Sequence, residues 1–221
     1  MKRKERVLEA YVGEYASGKS EIAINRALEL KKLQHQVTLV DLDIVEPFYT
    51  LRPIKEELES YGLNIIAYSR KDSFGLGETG AMLNPQARWA LRVEGDVIFD
   101  VGYGVHGAKT LNLVEGAKEA GIRIMAVINY MRPMTNSLER IKDYIKELGT
   151  VHAIVANTHL GDETTLDIII KGNLEIFAAA REMDIPIAYI AVEEKYREFI
   201  NREEFLVPVK FINRYMPAAI W

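Results

Sequence analysis

The chain has 221 residues, of which 48% are hydrophobic and 27% are charged, and its formal net charge is −4. This composition is ordinary for a globular protein, and the length suits one α/β domain, which we predict to span residues 1–221. The net negative charge gives no sign of the basic surface that binds duplex nucleic acid. The absence of cysteine excludes disulfides, thiolate zinc sites and cysteine-held iron–sulfur clusters.

The N-terminal stretch, residues 1–6, is charged and leads directly into an apolar run. It has neither the apolar region nor the cleavage site of a signal peptide. No stretch of the sequence approaches the ~18 apolar residues that a membrane span needs. We therefore expect a cytoplasmic protein without a membrane partner.

Residues 13–20, Gly-Glu-Tyr-Ala-Ser-Gly-Lys-Ser, match the spacing of a phosphate-binding loop (P-loop), Gly-x-x-x-x-Gly-Lys-Ser/Thr. An apolar run over 7–12 enters the loop as a buried strand would, and residues 20–28 leave it with helical periodicity. The motif therefore has the strand–loop–helix context that it requires.

The loop residues predict specific phosphate chemistry. Gly13 and Gly18 lack a Cβ, so the backbone can approach a polyphosphate closely and direct its N–H groups toward it. Lys19 would reach the β- and γ-phosphates, and the Ser20 hydroxyl would ligate Mg²⁺. The predicted nucleotide-binding residues of the loop are Gly13, Glu14, Tyr15, Ala16, Ser17, Gly18, Lys19 and Ser20.

A second strand is predicted over 36–43, a β-branched run that ends in Asp41 and Asp43. Pro47 then breaks the regularity, 48–60 resembles a short amphipathic helix, and 64–68 is a third strand. Acidic residues at the carboxyl end of a parallel strand are placed to face a polar ligand.

Residues 71–84 form the longest segment without periodicity. The segment contains Gly75-x-Gly77-x-x-Gly80, but no helix of the kind that a dinucleotide site needs follows directly. We interpret it as a loop that covers or selects a second substrate.

A helix is predicted over 85–93, and a strand over 96–102 contains Asp100 near its end. This aspartate is the natural Walker B residue, which would hold Mg²⁺, while Asp41 and Asp43 on the neighbouring strand complete the metal shell and position the nucleophile. A helix over 109–120 and a strand over 122–128 follow, and the strand ends at Asn129.

Thr135 is the predicted N-cap of the next helix, which ends before Gly149. A strand over 151–156 leads to Asn157, and a long helix over 162–183 leads to the last clear strand at 186–192. Residues 209–216 have some amphipathicity before Pro217, and we expect them to pack against the core. The apolar stripe of the first of these helices is Leu138, Ile141, Tyr144, Ile145 and Leu148.

The alternation of strands and helices predicts an α/β protein with a three-layer P-loop NTPase fold. Its sheet should be mainly parallel, with helices on both faces and right-handed crossovers. The carboxyl ends of the strands should form the ligand site. The polar residues predicted at that edge are Asp41, Asp43, Asp100, Asn129 and Asn157.

The order of these motifs resembles the MinD/ParA and cobyrinic acid synthase-like proteins of the SIMIBI class of P-loop proteins. The resemblance covers about residues 7–195 and rests on the P-loop, Val40-Asp41-Leu42-Asp43, Phe99-Asp100-Val101-Gly102 and Val155-Ala156-Asn157. It implies that Asp43 lies near the attacking water or the metal, that Asp100 holds Mg²⁺ through water, and that Asn157 hydrogen-bonds the base.

The chain departs from this group at two points. MinD/ParA proteins have a lysine directly after the first glycine of the loop, which reaches the nucleotide of the partner subunit, and this chain has Glu14 there. The resemblance thus gives no support for a dimer joined by that lysine, although a homodimer remains open. The cysteine pairs of the metal-handling relatives are missing as well.

Three functions compete on this sequence. The first is a Mg²⁺-dependent ATPase that acts as a switch for a protein partner. ATP is favoured over GTP because Asn157 is followed by Thr158-His159-Leu160 rather than by the guanine signature Asn-Lys-x-Asp. The second is a phosphotransferase or ligase that acts on a small molecule or a nucleic-acid 5′ end, with Arg52, Arg88 and Arg132 as candidate cations. The third is a nucleotide-binding scaffold with negligible turnover.

Overall fold

A single eight-stranded sheet organises the computed structural model, which describes residues 6–44, 51–68 and 83–216. The strands are β1 (Leu8–Gly13), β2 (Val37–Leu42), β3 (Asn64–Ile66), β4 (Asp96–Val101), β5 (Arg123–Ile128), β6 (Ala153–Ala156), β7 (Ile187–Glu193) and β8 (Val209–Ile212). The α-helices are α1 (Lys19–Lys32), α2 (Lys55–Ser60), α3 (Gly104–Ala108), α4 (Leu138–Leu148) and α5 (Leu166–Glu182). Short 3₁₀ helices cover Arg52–Ile54, Pro85–Arg92, Lys109–Leu113, Glu194–Phe199 and Arg202–Glu204.

All strand pairs are parallel, in the order β3-β2-β4-β1-β5-β6-β7-β8. The central strand β1 lies between β4 and β5. Strands β2, β3 and β4 extend the sheet on one side of β1, and strands β5 to β8 extend it on the other, so the strand order reverses direction at β1. Such a reversal leaves a crevice beyond the carboxyl ends of the strands, which is where ligands bind in open parallel sheets. The loop after β1 lies at this crevice.

Apolar layers cover both faces of the sheet. Ala10 and Val12 of β1 belong to one buried cluster, which also contains Ile141 of α4 and Ile176 of α5. Tyr11, between them, points to the opposite cluster, which contains side chains of α1 and α2. Because alternate strand residues face opposite sides, each central strand is apolar along its whole length. The predicted three-layer α/β P-loop fold, with a parallel sheet and helices on both faces, is confirmed.

The helix after β5 begins later than predicted. Ser137, not Thr135, is its N-cap, and the Ser137 hydroxyl accepts a hydrogen bond from the Arg140 N–H at 3.3 Å. The predicted cap is wrong because the Thr135 hydroxyl donates instead to the Asn129 carbonyl at 2.6 Å. The predicted end is confirmed, since Gly149 follows the last turn with a φ of 84°.

Two predicted helices are only partly present. Residues 85–92 form a 3₁₀ helix whose first turn is capped by the Asn84 side chain, which accepts from the Gln86 N–H at 3.0 Å. The helix predicted over 109–120 stops as a 3₁₀ helix at Leu113. It stops because Val114 is extended and Gly116 has a φ of 77°, conformations that an α-helix does not contain.

The C-terminal segment forms a strand that the sequence did not predict. Strand β8 pairs with β7, and polar side chains of α1 fasten the residues that follow it. Asn25 donates to the Asn213 carbonyl at 2.8 Å and accepts from the Asn213 N–H at 3.0 Å. The buried Glu21 carboxylate accepts from the N–H groups of Tyr215 and Met216 at 2.8 Å each. This segment is therefore part of the sheet and of the packing around α1.

Several predicted features lie outside the described residues. They are Pro47, residues 48–50 at the start of the helix predicted over 48–60, Pro217 and all of the 71–84 loop except Leu83 and Asn84. Among the helices of the described ranges, none combines the length and the apolar composition that a membrane-spanning helix requires.

A buried ionic network joins β1 to α1. The Arg26 guanidinium donates to both carboxylate oxygens of Glu9, at 2.8 and 3.1 Å, and to Glu29 at 2.8 Å. The Tyr11 hydroxyl donates to Glu9 at 2.9 Å. The Arg26 and Glu9 side chains are only 18% and 9% exposed, so water cannot fully replace either partner.

We expect Arg26→Met to lower the free energy of unfolding by about 3 kcal/mol, because Glu9 would keep a buried and uncompensated charge. Urea unfolding at neutral pH measures the change. Lys146→Met removes a pair whose side chains are 62% and 69% exposed, and this control should change stability by less than about 0.5 kcal/mol. Equal losses in the two variants would contradict a structural role for the network.

Candidate functional site

The P-loop connects β1 to α1 through backbone conformations that few residues adopt. Gly18 is the N-cap residue of α1 and has a φ of 87° and a ψ of 18°. Ala16 is also left-handed, with a φ of 52°, and the Ser17 N–H donates to the Glu14 carbonyl at 3.2 Å. The loop is thus a tight turn that ends on a helix N-terminus, an arrangement that favours anions.

The two loop glycines allow close contact with neighbouring strands. A Cβ at Gly13 would lie 2.5 Å from the Val127 carbonyl oxygen of β5. A Cβ at Gly18 would lie 2.3 Å from the Asn157 amide nitrogen, just beyond β6. Both distances are shorter than any carbon contact allows. At these two glycines the backbone of the loop therefore packs directly against the ends of β5 and β6, with no side chain between them.

The Lys19 side chain lies folded against the loop. Its ammonium group donates to the Glu14 carbonyl at 3.1 Å, and the residue is 7% exposed. Burial lowers the pKa of Lys19, and the nearby carboxylates of Asp100, Asp43 and Glu14 partly oppose this effect. The lysine is therefore a buried cation that faces the acidic strand ends.

The three predicted acids converge at the ends of β2 and β4. Asp41 lies directly opposite Asp100 in the register of these strands, and the Asp43 N–H donates to the Asp41 carboxylate at 2.9 Å. Burial raises the pKa of Asp100 to about 8, and the charge of Asp41 adds to this rise, while Lys19 and the Ser20 hydroxyl oppose it. Asp100 is only 1% exposed.

These residues fit a magnesium ion that is shared with a polyphosphate. Within the described residues, no group of three His, Asp or Glu side chains is arranged to bind a metal alone. Neither oxygen of Asp100 forms a hydrogen bond of standard geometry with a described residue, and the Ser20 hydroxyl lies beside it. Mg²⁺ commonly binds through one or two such groups together with water and phosphate oxygens.

The three candidate cations have different surroundings. Arg52 is buried with its Nε 3.8 Å from an Asp41 oxygen, so it belongs to the acidic cluster. Arg88 is exposed and lies over the Trp89 ring at 4.9 Å, near Glu115. Arg132, in the β5–α4 loop, is close enough to the P-loop residue Glu14 for the two charges to interact.

Asn157 lies directly against the P-loop. Its amide group donates to the Ser17 carbonyl at 2.8 Å, and the residue is 4% exposed. A pocket opens next to it, between Gly18 and the carboxyl ends of β6, β7 and β8. Its lining combines apolar and polar side chains: Glu21, Thr158, His159, Thr164, Ile169, Val192, Glu193, Tyr196, Ile212 and Arg214.

Asn129, predicted only to lie at the ligand edge of the sheet, organises the loops around the site. It is fully buried, and its side-chain oxygen accepts from the N–H groups of Met131 and His159 at 3.0 and 3.1 Å. Its amide nitrogen donates to the His159 carbonyl at 3.0 Å. The only sequence signal was an asparagine directly after a buried strand, and that position does not identify its partners.

His159 is a second residue whose role the sequence did not show. Burial lowers the pKa of His159 to about 4, and the nearby charge of Arg132 contributes in the same direction. The imidazole is therefore neutral at physiological pH. Its Nε2 lies 3.3 Å from the position that a Cβ of Gly18 would occupy, so the ring packs against the P-loop.

The Glu14 side chain turns toward the β5–α4 loop. Its two carboxylate oxygens each lie 3.1 Å from the Met134 N–H, and the Thr135 hydroxyl is 3.3 Å from one of them. Burial raises the pKa of Glu14, while these donors and the charges of Arg132 and Lys19 lower it. The acid is thus held by donors from another loop.

Comparisons with known proteins find a likeness of fold to solved structures. No family model matches the sequence, and no curated protein matches it at a significant level. Cell division protein FtsY from Thermotoga maritima is 19% identical and has a TM-score of 0.55, over 86% of this chain and 63% of the FtsY chain. The signal recognition particle receptor FtsY from Elizabethkingia anophelis is 18% identical with a TM-score of 0.55, over 90% of this chain and 62% of that one.

A further structure of the Elizabethkingia anophelis receptor was solved in complex with GDP. It is 18% identical and has a TM-score of 0.53, over 88% of this chain and 59% of that one. This chain therefore spans less than two thirds of the length of these FtsY structures. At this level of identity the likeness establishes a shared fold, and that fold is the one implied by the sequence resemblance to SIMIBI proteins.

The buried imidazole predicts a specific acid sensitivity. Because the pKa of His159 falls from 6.5 to about 4 on folding, only the unfolded chain takes up this proton between those values. Stability should therefore fall as the pH decreases from about 6.5 to 4, by roughly 2 kcal/mol, because the His159 residue keeps some exposure although its Nε2 is buried.

Urea unfolding at several pH values tests this sensitivity. His159→Gln should reduce the slope, whereas the exposed control His106→Gln should retain it. An unchanged slope in His159→Gln would contradict the assignment of a neutral buried ring.

Proposed function

We propose that this protein binds and hydrolyses ATP in a Mg²⁺-dependent reaction and acts as a switch or accessory factor for a protein partner. The observation that carries the proposal is the convergence of Lys19 and Ser20 of the P-loop with Asp41, Asp43 and Asp100. A cation, a hydroxyl and three carboxylates at one crevice are the groups that a metal-bound polyphosphate requires.

Each side chain has a distinct task on this proposal. Lys19 exchanges its bond to the Glu14 carbonyl for the β- and γ-phosphates, which accept from its ammonium group. Ser20 and Asp100 would hold Mg²⁺, and the ion would supply positive charge that neutralises the phosphates. Asp43 orients the attacking water, and Asp41 fixes the backbone at Asp43 through the hydrogen bond to its N–H.

The pocket beside Asn157 is the proposed base site. Its apolar walls can contact a planar ring, and Asn157 and Thr158 lie at its edge next to Gly18. The sequence lacks the Asn-Lys-x-Asp signature for guanine, and we therefore propose adenine. The FtsY structure with GDP keeps GTP as the competing nucleotide.

The switch role is supported by contact between two strand-end segments. An Asp43 carboxylate oxygen lies 3.2 Å from the position that a Cβ of Gly102 would occupy. A Cβ at Gly107 would lie 2.1 Å from the Gly102 carbonyl, so α3 packs directly on the residue after β4. A shift of Asp43 would therefore be passed to Gly102 and α3, and a partner could bind the altered surface.

The alternative function is phosphoryl transfer to an acceptor. Arg52 is the observation in its favour, because a buried guanidinium beside Asp41 could neutralise charge on a transferred phosphoryl group. Phosphate release without an acceptor would favour the ATPase, and transfer that requires an acceptor would favour this alternative.

Two substitutions separate binding from turnover. Lys19→Ala should weaken ATP binding about 10- to 100-fold, because it removes charge-assisted hydrogen bonds to phosphate. Asp43→Asn should leave binding within about threefold and reduce phosphate release about 100-fold or more, as expected for a residue that orients water.

Calorimetric titration of ATP and a phosphate-release assay, both with Mg²⁺, measure these effects. The melting temperatures of the free variants show whether both remain folded. Wild-type protein that is folded and binds no nucleoside triphosphate would overturn the proposed function. Binding without turnover would leave the scaffold alternative.

Base selectivity is tested by competition. A fluorescent ATP analogue bound to the protein should be displaced by ATP at a concentration at least about tenfold lower than by GTP, which corresponds to about 1.4 kcal/mol. The reverse order would replace adenine by guanine in the proposal and would leave the phosphate chemistry intact.

A further inference from the structure

The loop between β5 and α4 holds Arg132 in a defined position beside the P-loop. The Arg132 N–H donates to the Asn129 carbonyl at 3.1 Å, and the Arg132 carbonyl accepts from the Thr135 N–H at 3.0 Å. The Asn129 side chain binds the backbone of Met131 and of His159. The loop is therefore fastened on both sides of Arg132.

Two of the three guanidinium nitrogens of Arg132 lack hydrogen-bond acceptors among the described residues. These two, Nε and Nη2, are inaccessible to solvent and donate to none of them. Leaving a buried donor without an acceptor costs free energy, and this cost is larger on a charged group than on a neutral one. A structure keeps such a group when another molecule provides the acceptors.

The surroundings of Arg132 indicate which molecule this is. The charges and rings that interact with it belong to Glu14 and Tyr15 of the P-loop and to His159 beyond β6. Nε and Nη2 of Arg132 form no hydrogen bond with Glu14, whose two oxygens instead lie 3.1 Å from the Met134 N–H. His159 is neutral and adds no negative charge. The anion expected next to these residues is the one that the P-loop binds.

We propose that Arg132 is a phosphate-binding residue of this site, which donates Nε and Nη2 to phosphate oxygens of the nucleotide held by the P-loop. The inference rests on the proposed function and adds a ligand from outside the P-loop motif. A guanidinium matches phosphate better than an ammonium does, because its donors form a planar fork.

The experiment compares Arg132→Met and Arg132→Lys with Arg123→Met as the matched control. Arg123 is an exposed arginine at the opposite end of β5. Calorimetric titrations with AMP, ADP and ATP, each with Mg²⁺, give the affinities, and the corresponding guanosine series is used if GTP proves to be preferred. The melting temperature of each nucleotide-free variant reports its stability.

The expected result has two parts. Arg132→Met should weaken binding of the triphosphate about 10- to 100-fold, Arg132→Lys should recover part of this loss, and Arg123→Met should bind as the wild type does. The melting temperature of free Arg132→Met should change little, because the lost charge interaction with Glu14 opposes the gain from removing buried donors that have no acceptor.

The nucleotide series also locates the contact. An equal loss for ADP and ATP would assign Arg132 to the α- or β-phosphate, and a loss for ATP alone would assign it to the γ-phosphate. Both outcomes support the inference.

Two outcomes would overturn it. If the wild type binds nucleotide and Arg132→Met binds equally well, Arg132 does not contact phosphate and the proposed function stands. If free Arg132→Met loses stability and Arg132→Lys restores stability and affinity together, the residue is structural. A folded wild type that binds no nucleotide would instead remove the proposed function, and this inference with it.

Discussion

The structure depends on the direct packing of the P-loop backbone against two neighbouring strands. Gly13 meets the Val127 carbonyl and Gly18 meets the Asn157 amide at distances that leave no room for a side chain. This contact fixes the start of α1 and thereby the direction of Lys19. It also brings the end of β6 to the loop, since the Asn157 amide donates to the Ser17 carbonyl. The P-loop and the adjoining pocket are thus joined by one backbone contact.

A second constraint is the balance of charge at the strand ends. Three carboxyl groups meet there, and burial and nearby cations reduce the repulsion between them. Burial raises the pKa of Asp100, Arg52 lies 3.8 Å from Asp41, and Lys19 faces the same acids. A divalent cation bound between these carboxylates would reduce their repulsion further and would keep its ligands deprotonated.

Local sequence signals were sufficient for most of the fold but not for the contacts made between distant segments. Strands β1 to β7 could be predicted because each is an apolar run that ends in a polar residue or a turn. Strand β8 could not, because its place depends on pairing with β7 and on Asn25, which binds the residue after the strand across 188 positions of sequence. The aspartates at the strand ends followed from topology. The partners of Asn129 and the position of His159 did not, because they depend on how separate loops meet.

The environment of Glu14 shows how such distant contacts alter the meaning of a motif. In MinD/ParA proteins the residue after the first glycine is a lysine, and here it is an acid whose partners lie 120 positions away in the β5–α4 loop. That loop also carries Arg132, which interacts with the same acid. The region beside the P-loop therefore contains a cation, although a different segment of the chain contributes it. Because Glu14 binds backbone donors of the loop that carries Arg132, the acid holds this cation near the phosphate site instead of simply opposing an anion there.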